Sequence, residues 1–319
     1  CETLGYYGGT IGCTDCLFDL MSCENSGYCG DGIIDYSNGE VCDGITLGPE
    51  TCQSQGFSHG TIQCSTTCAT VRTRFCHNPV TMTGGDRHTC MIDTVGDTYC
   101  WGENEHGELG IGAAGTIVDT PSLVVGSHSF HDIAAGEHFT CAIDESGALY
   151  CWGSNENSRL GIPSILESAV PALVSPGPYS QISAGQHHAC AVRVNGTVEC
   201  WGSNTYWEVG VNSAVCDPCV NPVQVPNLVN VQMVSAGSYN TCVIDSQYRA
   251  YCWGMVGQGQ LGAPANPPGG IMSIPVLVLG GHQWEIIQSG SFITCGLDTS
   301  GTAWCWGQGD VGHLGTGTL

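Results

Sequence analysis

Along residues 79–319, short apolar or aromatic runs alternate with clusters of turn residues, and each run reads as a brief strand. Cys141 to Asp144 and Ala148 to Trp152 show the pattern, with Glu145, Ser146 and Gly147 between them. Opposing Cys141 to Cys151 leaves a three-residue hairpin loop, which calls for a positive-φ residue at its third position. That position holds Gly96, Gly147, Gly196 and Gly301 in four hairpins and Tyr248 in a fifth. Strand alternation puts Ile92, Ile143, Val192, Ile244 and Leu297 on the cysteine face. Tyr99, Tyr150, Glu199, Tyr251 and Trp304 share the other face with the tryptophans. Bulk on both faces predicts sheets sandwiched between neighbours, as in a propeller or a solenoid.

The hairpins repeat. Cys-Trp-Gly begins at Cys100, Cys151, Cys200, Cys252 and Cys305, in steps of 51, 49, 52 and 53 residues. Ten residues before each stands Cys90, Cys141, Cys190, Cys242 or Cys295, and five before that Gly85, Gly136, Gly185, Gly237 or Gly290. The register makes each cysteine couple a non-hydrogen-bonded cross-strand pair, with Cα atoms about 4.5 Å apart and within disulfide reach. Five bonds are therefore expected: 90–100, 141–151, 190–200, 242–252 and 295–305. A shared metal is the rival use, but no further ligand set repeats with the cysteines. Strands opening at Pro121, Pro171, Pro222 and Pro275 are assigned to the start of a unit, so five hairpins have four such strands and the first unit lacks one. The chain stops where another should begin, so the expectation is a ring completed by further chain or by a neighbouring subunit.

These residues resemble the regulator of chromosome condensation repeat. The resemblance rests on Gly84 and Gly85, on His88 to Asp93, and on Tyr99 to Gly110, and it covers roughly residues 79–319. It implies a β-propeller, usually of seven blades. The fold class expected is all-β: a propeller with five recognisable blade repeats, closed or part of a larger ring, and a small disulfide-rich N-terminal module. Nuclear members exchange nucleotide on a small GTPase and bind chromatin. Neither role suits an acidic, disulfide-bonded chain, and fold alone says little of function. A secreted bacterial β-lactamase inhibitor is also built on this propeller, which implies use as a protein-binding surface outside the cell.

Residues 1–78 form a separate module with ten cysteines. Cys1 to Cys23 and Cys52 to Cys76 are two copies of one pattern, the first without the leading Cys-Gly-Asp-Gly found at Cys29. The module resembles cysteine-rich repeats of large myxobacterial surface proteins, implying a secreted, modular bacterial protein and a piece of something longer.

Composition sharpens the picture. Twenty-two cysteines point to an oxidising compartment, extracellular or at the cell surface. Twenty-nine acidic residues face six basic ones, all arginine, for a net charge of −23. Such a chain repels phosphate backbones, so no nucleic acid is expected as partner. No apolar run approaches the length of a membrane helix, so no membrane insertion is expected.

Several residues carry candidate chemistry. Asp31, Asp35, Asn38, Glu40 and Asp43 crowd hard oxygen ligands into one loop, and calcium is the cation they would suit, against a reading as turn caps. No other cofactor is indicated. Cys216 and Cys219 form a Cys-x-x-Cys without the helix start of a redox motif, so a local disulfide is expected. Asn195-Gly-Thr is a glycosylation sequon inside a hairpin loop. His88, His138, His187 and His188 precede the hairpins and read as structural hydrogen-bonders, because Tyr239-Asn240 and Phe292-Ile293 break any ring of ligands. No nucleophile–base pair or phosphate loop is evident, so the chain is read as no enzyme. The leading expectation is an extracellular structural or binding protein of a bacterial surface, a fibre or adhesin subunit, with a protein partner or self-association. A secreted inhibitor or ligand-binding propeller is the alternative, and a metal-dependent or glycan-acting enzyme the third.

Overall fold

The computed structural model describes residues 80–319 except positions 95, 264–269, 311, 316, 318 and 319; before residue 80 it describes only short strand pairs and isolated positions. The chain divides into two compact units, Cys1–Pro79 and Val80–Leu319. In the first, the pairs include Gly12–Thr14 with Leu17–Asp19 and His59–Gly60 with Cys76–His77, and Cys42 is bonded to Cys64.

The second unit is a five-bladed propeller. Blade 1 comprises Pro79–Gly84, His88–Asp93, Thr98–Gly102 and Val118–Leu123; blade 2 comprises Phe130–Ala135, Phe139–Asp144, Leu149–Ser154 and Glu167–Ser175. Blade 3 comprises Tyr179–Ala184, His188–Arg193, Val198–Gly202 and Cys219–Gln224; blade 4 comprises Val231–Ala236, Asn240–Asp245, Ala250–Met255 and Ile271–Leu277. Blade 5 has three strands, Trp284–Ser289, Ile293–Asp298 and Ala303–Gly307. Each sheet is an antiparallel meander, its first strand innermost.

This order corrects one expectation. The proline strands close blades rather than open them: Pro121 lies in Val118–Leu123, which pairs backwards with Thr98–Gly102, and Pro171, Pro222 and Pro275 lie in the equivalent strands. A proline has no N–H to give a further strand, so an outermost position suits it. The count of four such strands stands, but the three-stranded blade is the fifth, not the first. Among the described residues, nothing pairs with the outer edge of Ala303–Gly307.

In every hairpin the two cysteines face each other across the ladder and are bonded, with Cα atoms 4.0–4.1 Å apart. The third loop residue takes φ 85°, 83°, 79° and 83° at Gly96, Gly147, Gly196 and Gly301, and Tyr248 is held at 61°. Both sheet faces are buried. Cys141, Ile143 and Leu149 of blade 2 pack with Leu160 against Ala189, Ala191 and Trp201 of blade 3, and the other seams repeat the arrangement.

The seams are hydrogen-bonded as well as packed. In blades 2 to 5 the tryptophan of Cys-Trp-Gly donates its indole N–H to a backbone carbonyl in the long loop of the preceding blade: Trp152 to Glu108, Trp201 to Arg159, Trp253 to Glu208 and Trp306 to Gln260, at 2.9–3.0 Å. The glycine five before each first cysteine also belongs to the seam. A Cβ on Gly85, Gly136, Gly185 or Gly237 would collide with the carbonyl oxygen of the equivalent glycine in the next blade.

Candidate functional site

The innermost strands line a channel, and the short turns after them frame one mouth, a depression of about 360 Å³. Asp86, Glu137, Gln186, Ser238 and Ser291 stand around it. The next residue of each turn is Arg87, His138, His187, Tyr239 or Phe292. The long loops following Cys-Trp-Gly reach the same end, because Glu103, Ser154, Ser203, Met255 and Gln308 each donate an N–H to the carbonyl of that second residue.

Those loops share a frame. Asn104, Asn155 and Asn204 accept the N–H of Leu109, Leu160 and Val209 on the side-chain oxygen, while their amides donate to carbonyls farther along the loop. Glu108, Arg159, Glu208 and Gln260 hold the tryptophans by the backbone alone, so their side chains vary without loss of the seam.

Variation divides the mouth into two halves. Blades 1 and 2 carry the charge. Arg159, 1% exposed, donates to the carbonyls of Glu137 and Glu156. His187 Nδ1 lies 2.9 Å from Glu137 Oε2, and burial, then Arg159, lowers the imidazole's pKa against the pull of Glu137. Glu103, Glu108 and His138 converge at the blade 1–blade 2 seam. Blades 3 to 5 carry the aromatic rings. Tyr206 and Tyr239 meet edge to face with centroids 5.1 Å apart, Tyr239 and Phe292 follow at 5.7 Å, and Trp207 stands in the same loop as Tyr206. Glu208 is buried beneath them, and desolvation raises its pKa although Ser203 and the Tyr206 N–H bond it.

The histidines divide by position. His88 and His188 point between blades, each with Nε2 2.8 Å from a threonine hydroxyl of the next blade, Thr140 or Thr241. Each hydroxyl donates its one proton to a carbonyl, Glu108 or Glu208, so the imidazole is the donor and carries its proton on Nε2. Burial lowers their pKa values to about 4 and about 3. His138 and His187, one residue earlier in their turns, face the mouth instead.

The remaining candidates stand apart from this face. Cys216 is bonded to Cys219. Asn195 lies in the hairpin loop at the opposite end, exposed, its side-chain oxygen accepting the N–H and hydroxyl of Thr197. Asp31, Asp35, Asn38 and Glu40 lie outside the described residues, and Asp43 is buried. No described helix is long and apolar enough to cross a membrane. The sequence reading missed Glu103 and Glu108. The available signal was a departure inside the repeat: Glu103 stands after Trp-Gly where blades 2 and 3 have Ser154 and Ser203.

A family model described as the RCC1-like domain matches residues 40–319. Among curated relatives, Protein pim1 of Schizosaccharomyces pombe is 31% identical over 207 residues, 63% of this chain and 31% of its own length. The ultraviolet-B receptor UVR8 of Arabidopsis thaliana is 32% identical over 243 residues, 73% of this chain and 54% of its own. The human E3 ubiquitin-protein ligase HERC2 is 26% identical over 248 residues, 75% of this chain and 5% of its own. The chain thus spans less than two thirds of each relative. The solved structure of Kap60 bound to yeast RCC1 (Prp20) superposes with a TM-score of 0.68 at 19% identity, covering 76% of this chain and 59% of that one. The ligase corrects the reading of the chain as no enzyme: these repeats occur within an enzyme, so their presence does not exclude catalysis.

Proposed function

The chain belongs to the RCC1-like domain family, and from that premise we propose that it is an extracellular protein-binding propeller whose loop-bearing mouth grips its partner. The observation that carries this reading is the cluster of Tyr206, Trp207, Tyr239 and Phe292 beside an acidic half-ring. Tyrosine and tryptophan dominate binding energy where they can be buried, and flanking charge sets partner choice and on-rate. A net charge of −23 favours a partner with a basic patch. Relatives lend support: one solved neighbour is a complex with Kap60, and another is described by its binding to Gsp1p and histones. Five hairpin disulfides support work in an oxidising compartment, and the N-terminal cysteine repeats favour a bacterial surface.

A binding survey tests the reading. Immobilised full chain is presented with extracellular proteins and peptides graded in charge, beside Tyr206→Ala/Tyr239→Ala and, from the opposite end, Val194→Ser. The expected result is binding of basic partners that the aromatic double variant loses and Val194→Ser keeps. Binding that survives the double variant but is lost in Val194→Ser places the interface at the other end and overturns the proposal.

A further inference from the structure

The repeat supplies its own control for the glutamates of the mouth. In blade 3 the carboxylate of Glu208 is fully used: Oε1 accepts the Ser203 hydroxyl at 2.7 Å and Oε2 accepts the Tyr206 N–H at 2.7 Å. Blade 1 keeps the glutamate as Glu108, with Oε2 accepting the His106 N–H at 2.8 Å. It replaces the serine with Glu103. A hydroxyl donor has become a second carboxylate.

Two acidic oxygens are left facing each other. Glu108 is 1% exposed, and among the described residues its Oε1 has no hydrogen-bond partner; the buried Oε2 of Glu103 has none either. Arg87, largely exposed, approaches only the other oxygen of Glu103, at 3.4 Å. The third group comes from blade 2. His138, held at φ 56°, places Nδ1 3.6 Å from Glu103 Oε2 and 3.6 Å from Glu108 Oε1. All three atoms lie within 4.8 Å of one another. Burying acidic oxygens without donors is costly unless a cation neutralises them.

We infer that Glu103, Glu108 and His138 form a three-ligand site for a divalent metal ion of the zinc class, bridging blades 1 and 2 at the propeller mouth. The distances suit such an ion. Ligand atoms around a tetrahedral ion with bonds of about 2.0–2.1 Å are about 3.3–3.4 Å apart, so the two imidazole–carboxylate separations need to close by only a few tenths of an ångström. The donor set selects the metal, because two carboxylates and an imidazole nitrogen suit zinc, whereas calcium seeks six to eight oxygens. Glu103 and His138 are partly exposed, so the fourth position opens to solvent and to whatever docks at the mouth. A bound ion would also clasp the seam that Trp152 already latches.

The decisive variant is Glu103→Ser, which rebuilds the satisfied arrangement of blade 3 and so keeps the fold while removing a ligand. Metal-stripped full chain is titrated with Zn²⁺ by calorimetry and with Co²⁺ by visible absorption, beside Glu103→Ser and His138→Ala. Wild type is expected to bind one equivalent with the intense visible bands of four-coordinate Co²⁺. Both variants should lose that equivalent, weakening it by more than the roughly 100-fold that loss of an outer-sphere partner costs. Glu103→Ser should match the metal-free wild type in circular dichroism and melt no lower, since it removes an unsatisfied carboxylate. Absence of Zn²⁺ uptake by wild type near neutral pH, or uptake unchanged in the two variants, overturns the inference.

Discussion

Acidification should weaken the blade 3–blade 4 seam through one residue. His188 is wholly buried, donates from Nε2 to the Thr241 hydroxyl, and leaves Nδ1 without a partner among the described residues. Protonation would bury a cation and an unsatisfied N–H together. Burial, reinforced by His187, pushes the pKa from 6.5 to about 3. The unfolded chain titrates near 6.5, so between the two values the unfolded state holds a proton the native state lacks. Stability then rises with pH: the contribution is complete above pH 6.5 and is lost as pH falls toward 3. At about 1.4 kcal/mol per decade, about 2 kcal/mol is gone at pH 5. That is a large share of the stability of an ordinary domain. The assay is urea unfolding of wild type and His188→Gln from about pH 7.5 to 4.5, since glutamine keeps a donor near Nε2 and cannot charge. The variant should start less stable, by about 1 kcal/mol for the altered hydrogen bond and packing, and gain about 2 kcal/mol relative to wild type by pH 5. A difference constant across the range would refute the reasoning.

Three further outcomes are expected. Replacing Cys141 and Cys151 together by serine should destabilise the propeller by about 2–3 kcal/mol in the chain-entropy model, and non-reducing peptide maps should recover each hairpin pair as one linked fragment. Tyr248→Asn should raise stability by up to about 1 kcal/mol by relieving a left-handed conformation, whereas Gly147→Ala at the equivalent turn should lower it by about 1–2 kcal/mol; paired thermal melts check both signs. Calcium should raise the melting temperature of the N-terminal module through the carboxylates between Asp31 and Asp43, and identical curves in calcium and in chelator would remove that reading.

The hairpins were legible in the sequence because a ten-residue cysteine spacing and a glycine-ended loop fix strand register within one local unit. The proline strands were misplaced because each lies between two hairpins, and its side of pairing is decided by tertiary neighbours that local pattern does not encode. His88 and His188 matched the structural reading, since a histidine two residues before a cysteine falls inside the seam. His138 differed by one position, and one position in a turn moves a side chain from the seam to the mouth. Its partners were hidden for a related reason: Glu103 and Glu108 come from another blade, and only the departure from serine at position 103 marks them.

The indole latch gives the array a polarity. Every interior blade offers a carbonyl socket on one side and a tryptophan key on the other, and both are carried within one repeat. A duplicated unit would therefore arrive able to join its neighbours at once, and lineages could lengthen or shorten the row of blades without reinventing a joint. Because the socket is main chain, the side chain above it can change without breaking the latch. The seams are then where descendants of one ancestral unit can acquire different chemistry, as Arg159 and Gln260 have beside Glu108 and Glu208.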